Sequence, residues 1–365
     1  MRIGLLLPLN ISIAPYLKIY TKILDRLPEV EYDIIYCDKR GKKEPAKHRF
    51  NLKTKDNVSK LQKLTYYFLY SRYLLHVLKK EKYDKLIVFG PQIAIFIQPY
   101  LCKHYKDKFI MDYRDLSIDR IFKKRYKKIV DASACNVISS PGFKEYLPEK
   151  DYILSHNFDI DIVERAITDV RTEPYTLTKK DGKYHVMTIG GIRHVEQNCE
   201  IIKALANNDK FQVTFAGWGF GVPALQKYVE DNHIKNVEFT GFYNKQDEPE
   251  IIAQATYLNI YYSLEPNPRT AISNRFYNSI IYRKPMITTI GTIQGKYAAD
   301  YNVGLAIKNA DDLPHDLEQY YQNFDFKSYE EQRLKLLTLF REDYQVFQNA
   351  LIKFTKSGSV AIVRG

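Results

Sequence analysis

Short apolar runs alternate with amphipathic stretches along the first half of the chain. Each run ends near a polar, glycine or proline position, as strands buried on both faces of a parallel sheet do. The runs lie at 2–7, 32–37, 85–89, 108–111 and 134–138. Between them, apolar residues at helical spacing predict helices at 15–27, 57–82, 92–104 and 118–131. This order predicts a doubly wound α/β sheet.

A second series follows the polar stretch 168–183, which we interpret as a linker. Strands are predicted at 184–189, 212–216, 237–239, 257–261, 286–289 and 303–307. Helices are predicted at 196–207, 223–232, 246–255, 270–282, 311–320 and 329–354. We therefore expect two Rossmann-like domains, 1–167 and 184–325, and a C-terminal helix, 326–356, that packs back on the first domain. Because ligands of such sheets bind at the carboxyl ends of the strands, a cleft between the domains is the expected site.

Composition agrees with a globular protein of two domains. The chain has 365 residues, 45% of them hydrophobic and 27% charged. Four separated cysteines (Cys37, Cys102, Cys135 and Cys199) form no CxxC pair, which favours reduced thiols over disulfides or a zinc site. The first apolar run ends at Pro8 and is too short for a signal peptide. No apolar run reaches membrane-spanning length, so we expect a cytoplasmic protein.

The net charge of +12 is confined to the first half of the sequence. Residues 1–167 hold 32 lysines and arginines against 20 acids, whereas residues 168–365 hold 23 of each. Such an excess favours an anionic partner for the first domain, either nucleic acid or an anionic lipid surface. The alternative is a compositional bias of the organism, which the 30 tyrosines also suggest.

The segment 274–288 combines an amphipathic helix, a Lys-Pro pair and a β-branched strand. Arg275 falls in the first turn of this helix, where the positive end of the helix dipole disfavours cations. A diphosphate opposite Arg275 would account for this position, because backbone N–H groups and a guanidinium both bind phosphate. The alternative is a solvated arginine on the surface.

Two further glycine turns follow predicted strands. Gly190 and Gly191 precede Arg193, and Gly217 stands in a Gly-Trp-Gly sequence. Glycine lets the backbone approach an anion closely, and an arginine beside it adds a bidentate donor. A plain strand-to-helix turn would use the same residues.

The segment 274–288 resembles the nucleotide-sugar signature of GT-B glycosyltransferases, especially the retaining family 4 enzymes of capsule and exopolysaccharide synthesis. Arg275 matches a lysine of that signature. Asn278 stands where the family has a glutamate that holds the donor ribose, and Arg283 replaces a glycine. Glu265 is our candidate for the missing sugar-binding acid, and Asn274 opens the motif.

The turn at Gly190, Gly191 and Arg193 resembles the family's phosphate-binding Gly-Arg pair. A lysine that the family places five residues later is Asn198 here. The Gly217 turn matches the family's Gly-x-Gly segment. The resemblance covers residues 80–310, and residues 1–80 match only as an opening strand and helix.

The resemblance implies a metal-independent, retaining transferase of the hexosyltransferase type. It implies that the second domain binds a nucleotide-sugar, a UDP- or GDP-sugar, as a substrate, with no further cofactor. The first domain would bind a glycan acceptor of bacterial surface polysaccharide synthesis. A lipid-linked acceptor would explain the basic first domain, which would then be peripheral on the inner face of the plasma membrane.

Candidate acceptor residues end the predicted strand at 108–111. Asp112, Arg114 and Asp115 place two carboxylates around an arginine, an arrangement suited to binding sugar hydroxyls or to a general base. We assign Asp112 and Arg114 to acceptor binding and Asp115 to catalysis. The alternative is an Arg114–Asp115 ion pair that fixes a loop. His156, alone near the domain crossover, is more typical of a structural histidine.

We expect neither a metal nor nucleic acid as a partner. Asp159-Ile160-Asp161 spells a common metal-binding motif, but in the crossover rather than after a central strand. Cationic side chains and helix ends can stabilise a leaving diphosphate without a metal. The basic half is interrupted by buried-strand patterns and has no arginine-rich arm.

Two other functions remain open. A nucleotide-sugar epimerase uses the same kind of domains and needs no acceptor. The other is a non-enzymatic two-domain protein that binds a small molecule. Such a protein would usually carry an export signal, which we do not expect in this sequence. The sequence does not determine the sugar, the nucleotide or the linkage.

Overall fold

The computed structural model describes residues 1–52, 59–169 and 177–356. The chain forms two compact units, each built around its own sheet. The first unit contains Met1–Asp159 and the chain from Glu342 onward, and the second contains Ile160–Arg341. The predicted boundary at 167 falls near the end of a helix that belongs wholly to the second unit. The predicted linker lies partly outside the described residues.

The first unit has a sheet of seven parallel strands in the order β3-β2-β1-β4-β5-β6-β7. The strands are β1 Arg2–Leu7, β2 Glu31–Asp38, β3 His48–Asn51, β4 Lys85–Phe89, β5 Phe109–Tyr113, β6 Cys135–Ile138 and β7 Ile153–Leu154. All five residues of β4 and of β5 are buried, as the apolar runs predict.

The helices that alternate with these strands are α1 Pro15–Leu24, α2 Lys60–Glu81, α3 Pro91–His104 and α4 Lys123–Ala132. The long helix α2 begins at a capping box, in which Ser59 and Gln62 bond each other's backbone N–H groups. The first residues of the predicted helix 57–82 lie outside the described ranges.

The C-terminal helix α13, Phe326–Lys356, belongs to both units. Its second half buries Phe347, Leu351 and Phe354 in the core of the first unit. Lys85 of β4 donates a hydrogen bond to the carbonyl of Phe354 near the helix end. The prediction that the last helix packs on the first domain is therefore confirmed.

The second unit has a sheet of six parallel strands in the order β10-β9-β8-β11-β12-β13. The strands are β8 Tyr184–Gly191, β9 Phe211–Trp218, β10 Val237–Gly241, β11 Tyr257–Ile260, β12 Met286–Thr289 and β13 Gly304–Ile307. Its helices are α5 Ile160–Thr168, α6 Val195–Leu205, α7 Val222–Asp231, α8 Glu248–Ala253, α9 Pro266–Thr270, α10 Asn274–Ile281, α11 Ile293–Asp300 and α12 Leu313–Gln322. The predicted Rossmann-like fold class is confirmed for both units.

A buried ion network holds α5, α10 and α13 together in the second unit. Arg333 is fully buried and donates to Glu330 and to the carbonyls of Ala166 and Ile280. Arg283, directly after α10, donates to the same Glu330. Because each buried charge has an opposite partner and further hydrogen bonds, the network avoids the cost of an unpaired ion.

In the described ranges, none of the helices combines the length and the apolar character that crossing a bilayer requires.

Candidate functional site

The second sheet changes direction at β8. Successive strands run outward from β8 through β9 to β10, and the chain then returns to place β11 on the other side of β8. The loops after β8 and β11 therefore diverge at their carboxyl ends, and this switch point is where open α/β sheets bind ligands. The glycine, arginine and asparagine candidates of the second domain all lie at the ends of β8 and β9, in the turn after β8 or in the first turns of α10.

Glycine is required where the ends of β8 and β9 meet. Gly190 pairs with Gly217, and Gly191 pairs with Trp218. A β-carbon at position 217 would lie 2.1 Å from the carbonyl oxygen of Gly190, and the φ of Gly217 is +131°. At position 219 it would lie 2.0 Å from the carbonyl oxygen of Ile192. The two turns thus pack backbone against backbone, with no side chain between them.

Arg275 holds the other side of this turn. Its buried guanidinium donates to the carbonyls of Ile189 and Gly191, the latter at 2.7 Å, and to the hydroxyl of Tyr262 at 3.2 Å. A cation in the first turn of α10 is therefore explained by acceptors of the protein itself. Three N–H groups of the guanidinium are used in this way.

Arg193 lies beside the same turn and is exposed. Its Nε would be 3.8 Å from a β-carbon at Gly191. The structure thus brings Arg193 and Arg275 together, as the sequence predicted. His194, directly after Arg193, is the N-cap residue of α6, and its side chain does not cap the first backbone N–H groups of the helix.

His194 is a residue that the sequence analysis missed. Its ring lies 4.6 Å from the ring of Tyr262. Burial lowers its pKa below the usual value, and the positive charges of Arg275 and Arg193 lower it further. The imidazole is therefore neutral at physiological pH and can donate or accept one hydrogen bond at this turn.

Asn278 stands at the position where the signature that it resembles has a glutamate. In this structure a carboxylate lies beside it. Its amide donates to Glu248 at 3.0 Å, and Glu248 is buried. Tyr243 donates to the same carboxylate at 2.7 Å, and Lys245 also donates to it. One amide hydrogen of Asn278 is thus engaged within the protein. Glu248 lies in α8, far from the motif in sequence, and no pattern pointed to it.

Glu265 and Asn274 are both exposed on the carboxyl side of the sheet. Glu265 follows β11 and precedes the short helix α9. Asn274 is the first residue of α10, which Ser273 caps by accepting from the backbone N–H of Phe276. Their predicted roles in donor binding remain predictions.

An exposed pair of aromatic rings lies at the carboxyl ends of the strands of the second sheet. Trp218 ends β9 and Phe242 follows β10, with ring centroids 5.7 Å apart and planes inclined by 26°. Trp218 is 45% exposed and Phe242 is 81% exposed. The sequence analysis did not single them out, although both directly follow a glycine at the end of a strand.

In the first unit, Asp112 and Arg114 form a buried pair. Asp112 is fully buried and accepts two hydrogen bonds from Arg114, at 2.5 and 2.6 Å, and one from Tyr20. Arg114 also donates to the carbonyl of Ser155 at 2.7 Å. Polar atoms of both residues are thus engaged within the unit, and their predicted roles in acceptor binding remain predictions. Arg114 pairs with Asp112, and Asp115 is exposed.

His156 has a structural position. Its buried Nε2 lies 2.9 Å from a carboxylate oxygen of Asp343, and its ring stacks on Phe158. Both partners belong to the first unit.

One trio of the described residues has a spacing that could hold a metal ion, namely Asp33, His48 and Glu81. Arg2 and Lys47 each donate to both carboxylates, at 2.8–2.9 Å. Two cations therefore already neutralise this trio, which does not fit a metal ion. In the Asp-x-Asp sequence at 159–161, Asp159 pairs with Lys22 at 3.1 Å.

Comparison of the sequence with protein-family models and with curated proteins finds no match. Solved structures do resemble it. The sucrose-phosphate synthase of Thermosynechococcus elongatus is 11% identical, with a TM-score of 0.66 and 98% of each chain covered. A glycosyltransferase from Rickettsia africae is 9% identical, with a TM-score of 0.64, covering 98% of this chain and 99% of that one. The UDP-GlcNAc 2-epimerase of Neisseria meningitidis, bound to UDP-GlcNAc, is 12% identical, with a TM-score of 0.62 and coverage of 97% and 100%.

The chain has the GT-B fold. At such low identity the likeness establishes the fold, and it separates neither the transferases from the epimerase nor family 4 from other families.

The contact between the two glycine turns can be tested by substitution. Gly217→Ala should lower the free energy of unfolding by more than about 3 kcal/mol, because it adds a backbone clash to an unfavourable φ. Gly241→Ala is the matched control, since Gly241 also has a positive φ (+74°) but no atom within 4 Å of its β-carbon position. Gly241→Ala should lower the free energy of unfolding by about 1–2 kcal/mol. Urea unfolding followed through Trp218 measures both, and equal losses would contradict the contact.

Proposed function

We propose that the protein is a glycosyltransferase that moves a sugar from a nucleotide-sugar to a glycan acceptor. The observation that carries the proposal is the convergence of two arginines and an uncapped helix start on one glycine turn. These groups surround Gly190 and Gly191 at the switch point of the second sheet.

The glycine turn is the proposed binding site of the donor diphosphate. Arg193 is exposed and able to form bidentate hydrogen bonds to phosphate. The first N–H groups of α6 add partial positive charge and donors at the same place. Arg275 contributes charge from its buried position and fixes the turn, so that the donors are already oriented before a ligand binds.

The Trp218–Phe242 pair is the proposed binding site of the nucleotide base. Phe242 follows β10, which is two strands away from β8. With neighbouring strands about 4.8 Å apart, the separation is on the order of 10 Å. A nucleoside diphosphate is long enough to span it, with the base on the exposed face of Phe242 and the ribose over β9. Base stacking on an aromatic ring contributes about 1–3 kcal/mol.

The bond-breaking step needs stabilisation of the departing diphosphate. Arg193 and the start of α6 provide positive charge there without a metal ion. Asp115, exposed after β5, is the proposed residue for an acceptor hydroxyl in the first unit. Retention of configuration, a hexose donor and UDP or GDP as the nucleotide follow from the resemblance to family 4 enzymes and are part of the proposal.

An epimerase is the second candidate, because the Neisseria meningitidis epimerase shares the fold over the whole chain. An epimerase converts a nucleotide-sugar without an acceptor. Incubation of UDP-GlcNAc alone therefore separates the two functions: a changed sugar supports the epimerase, and an unchanged one supports the transferase.

We further propose that the acceptor is lipid-linked and that the first unit docks on an anionic membrane. The sequence of this unit holds 34 lysines and arginines against 20 acids, whereas the second unit holds 21 against 23. Helix α2 buries Tyr70, Leu74 and Leu78 but exposes Leu61 (74%) and Phe68 (53%). A helix with exposed apolar and cationic residues is suited to a membrane surface.

Arg193→Ala should weaken UDP binding by roughly 1.5–3 kcal/mol, the scale of a hydrogen bond to a charged group. Because Trp218 is the only tryptophan of the chain, UDP should also quench its fluorescence, which gives the titration a direct signal. Lys203→Ala removes an exposed cation in the last turn of α6. It is the control and should bind UDP as the unchanged protein does.

Arg275→Ala should lower both the affinity for UDP and the stability of the fold, since two backbone carbonyls lose their hydrogen-bond donor. Unchanged UDP affinity in both arginine variants would contradict the proposed binding site of the diphosphate.

Asp115→Asn should reduce transfer at least tenfold while leaving UDP affinity unchanged, because Asp115 belongs to the first unit and the proposed donor site to the second. Asp112→Asn is the comparison and should lower stability instead, since it weakens the buried pair with Arg114. If Asp115→Asn lowers stability as Asp112→Asn does, its carboxylate is structural and the proposed role is wrong.

Charge reversal of Lys79, Lys80 and Lys82 should weaken binding to anionic vesicles. Each cation near such a surface contributes about 1 kcal/mol, and the attraction fades over about 10 Å at 0.1 M salt. Binding of the unchanged protein should also fall steeply as salt is added. Reversal of three exposed lysines of the second unit, Lys203, Lys227 and Lys235, should have little effect in co-sedimentation. If the protein does not bind anionic vesicles at low salt, the proposal of a lipid-linked acceptor loses its support.

A further inference from the structure

The helices of the first unit cover two opposite faces of its sheet. The connections from β1 to β3 run along the sheet in one direction, and those from β3 to β6 run in the other. Because crossovers between parallel strands are right-handed, α1 lies on one face and α2, α3 and α4 lie on the other. Helix α3 packs against both α2 and α4, so these three helices form one layer.

The positive charge of the unit is concentrated in this layer. The sequence of α2 holds five lysines and arginines against one acid, that of α3 one against none, and that of α4 five against one. On the other face, α1 and residues 342–356 of α13 share a core and hold four against two. A compositional bias of the organism would act on both faces, so the difference indicates a binding surface.

The fold itself explains part of this charge. Lys79 and Lys80 lie in the last turn of α2, and Lys103 lies in the last turn of α3, where the negative end of the helix dipole favours cations. Lys127 of α4 pairs with Asp131 at 2.8 Å. These cations have partners within the unit.

Three cations at the start of α4 have no such explanation. Lys123, Lys124 and Arg125 form the first turn of this helix, which contains no acid, and the N-cap residue Phe122 provides no side-chain cap. The positive end of the helix dipole disfavours cations there. All three are exposed, and their side chains form no ion pair or hydrogen bond with another described residue. They therefore cost the fold stability, and an external anion would offset that cost.

The acids next to the start of α4 are engaged elsewhere. Asp119, in the turn before α4, is buried and accepts hydrogen bonds from Tyr113 and from the backbone N–H of Ser117, both at 2.9 Å. Burial raises the pKa of this carboxyl group, which disfavours its negative charge. The neighbouring helix α3 has no acid in its sequence. The charge at the start of α4 is thus left for a partner outside the unit.

Exposed apolar side chains accompany these cations. Ile121, directly before α4, is 76% exposed, and Leu61, Phe68 and Leu69 of α2 are exposed in the same layer. These four are the most exposed large apolar residues described in the first unit. A nucleic acid or an acidic protein offers anions alone, whereas a bilayer offers phosphate groups with apolar chains directly below them. The combination favours an anionic lipid surface.

We propose that Ile121, Lys123, Lys124 and Arg125, the α4 patch, form the surface through which the first unit docks on anionic lipid headgroups. The three cations bind lipid phosphates, and Ile121 enters the interface. This inference rests on the proposed membrane docking and names the surface responsible for it. Because α4 follows β5, the patch lies at the same carboxyl edge of the sheet as Asp115. Docking there places the proposed acceptor residue near a lipid-linked acceptor.

The test is co-sedimentation of the full chain with vesicles of phosphatidylcholine and phosphatidylglycerol at low salt. Lys123→Glu/Lys124→Glu/Arg125→Glu should bind at least tenfold more weakly than the unchanged protein. The matched control reverses the same charge at Lys18, Arg26 and Lys356, which are exposed on α1, directly after α1 and on α13. Its binding should change less than threefold.

Two further measurements separate docking from folding. The α4 charge reversal should leave the melting temperature unchanged or raise it, because acids are favoured in the first turn of a helix. Ile121→Ser should weaken vesicle binding without altering its salt dependence, since no charge changes. If the reversed protein does not fold, Lys123→Gln/Lys124→Gln/Arg125→Gln replaces it. This neutral variant should bind more weakly than Lys18→Gln/Arg26→Gln/Lys356→Gln.

The outcomes distinguish this inference from the docking proposal itself. If no anionic vesicle binds the unchanged protein, docking and the α4 patch both fail. If vesicles bind but the α4 variant and the control lose equal affinity, docking acts through net charge and the patch is wrong. A larger loss on reversal of Lys79, Lys80 and Lys82 would place docking at the end of α2 and also overturn the patch. An α4 variant that keeps vesicle binding but loses binding to duplex DNA would identify nucleic acid as the partner instead.

Discussion

The backbone contact between Gly190 and Gly217 is the constraint on which the second unit's site depends. Two strand-to-helix turns meet there at a distance that no β-carbon allows. Arg275 closes the other side by binding the carbonyls of Ile189 and Gly191. The turn after β8 is thus fixed from two directions before any ligand arrives. A phosphate bound there would meet donors that need no reorganisation, which is the physical basis of electrostatic stabilisation in enzymes.

The same unit shows why a cation in a sequence motif is not by itself a ligand-binding cation. Lys284, in the Lys-Pro pair of the motif, is buried and donates to the carbonyls of Ala253 and Ala255 at the end of α8. Arg283 has a φ of +56°, in the left-handed region that favours glycine. Its buried bonds to Glu330 offset the strain. Arg193, by contrast, is exposed, so its role in binding can be tested without disturbing the fold.

Strands with continuous buried runs were predicted with the right bounds, whereas a polar edge strand was missed. The bounds of β1, β4 and β12 agree with the prediction because nearly every residue of these strands is buried. The edge strand β3 (His48–Asn51) was missed, since it is polar and is held through the bond of Arg49 to Asp38. At the strand ends of the second unit, the positions of the glycine turns and of both arginines were predicted, and their binding roles stay predictions. Glu248 and the Trp218–Phe242 pair were not, because their partners are distant in sequence and only the folded sheet brings them together.

The two edges of the first sheet also differ in a way that follows from parallel topology. Helices return antiparallel to the strands, so their negative carboxyl ends gather at the amino edge and favour lysines there. At the other edge, Asp38 and Asp112 are buried and bound, and Glu44 accepts from the backbone N–H groups of Ile11 and Ser12. Part of the positive charge of this unit therefore compensates helix ends and needs no external partner. Lys85 is such a cation, because it donates to the carbonyl of Phe354 near the carboxyl end of α13. What distinguishes a binding cation from a compensating one is an excess over the local negative charge.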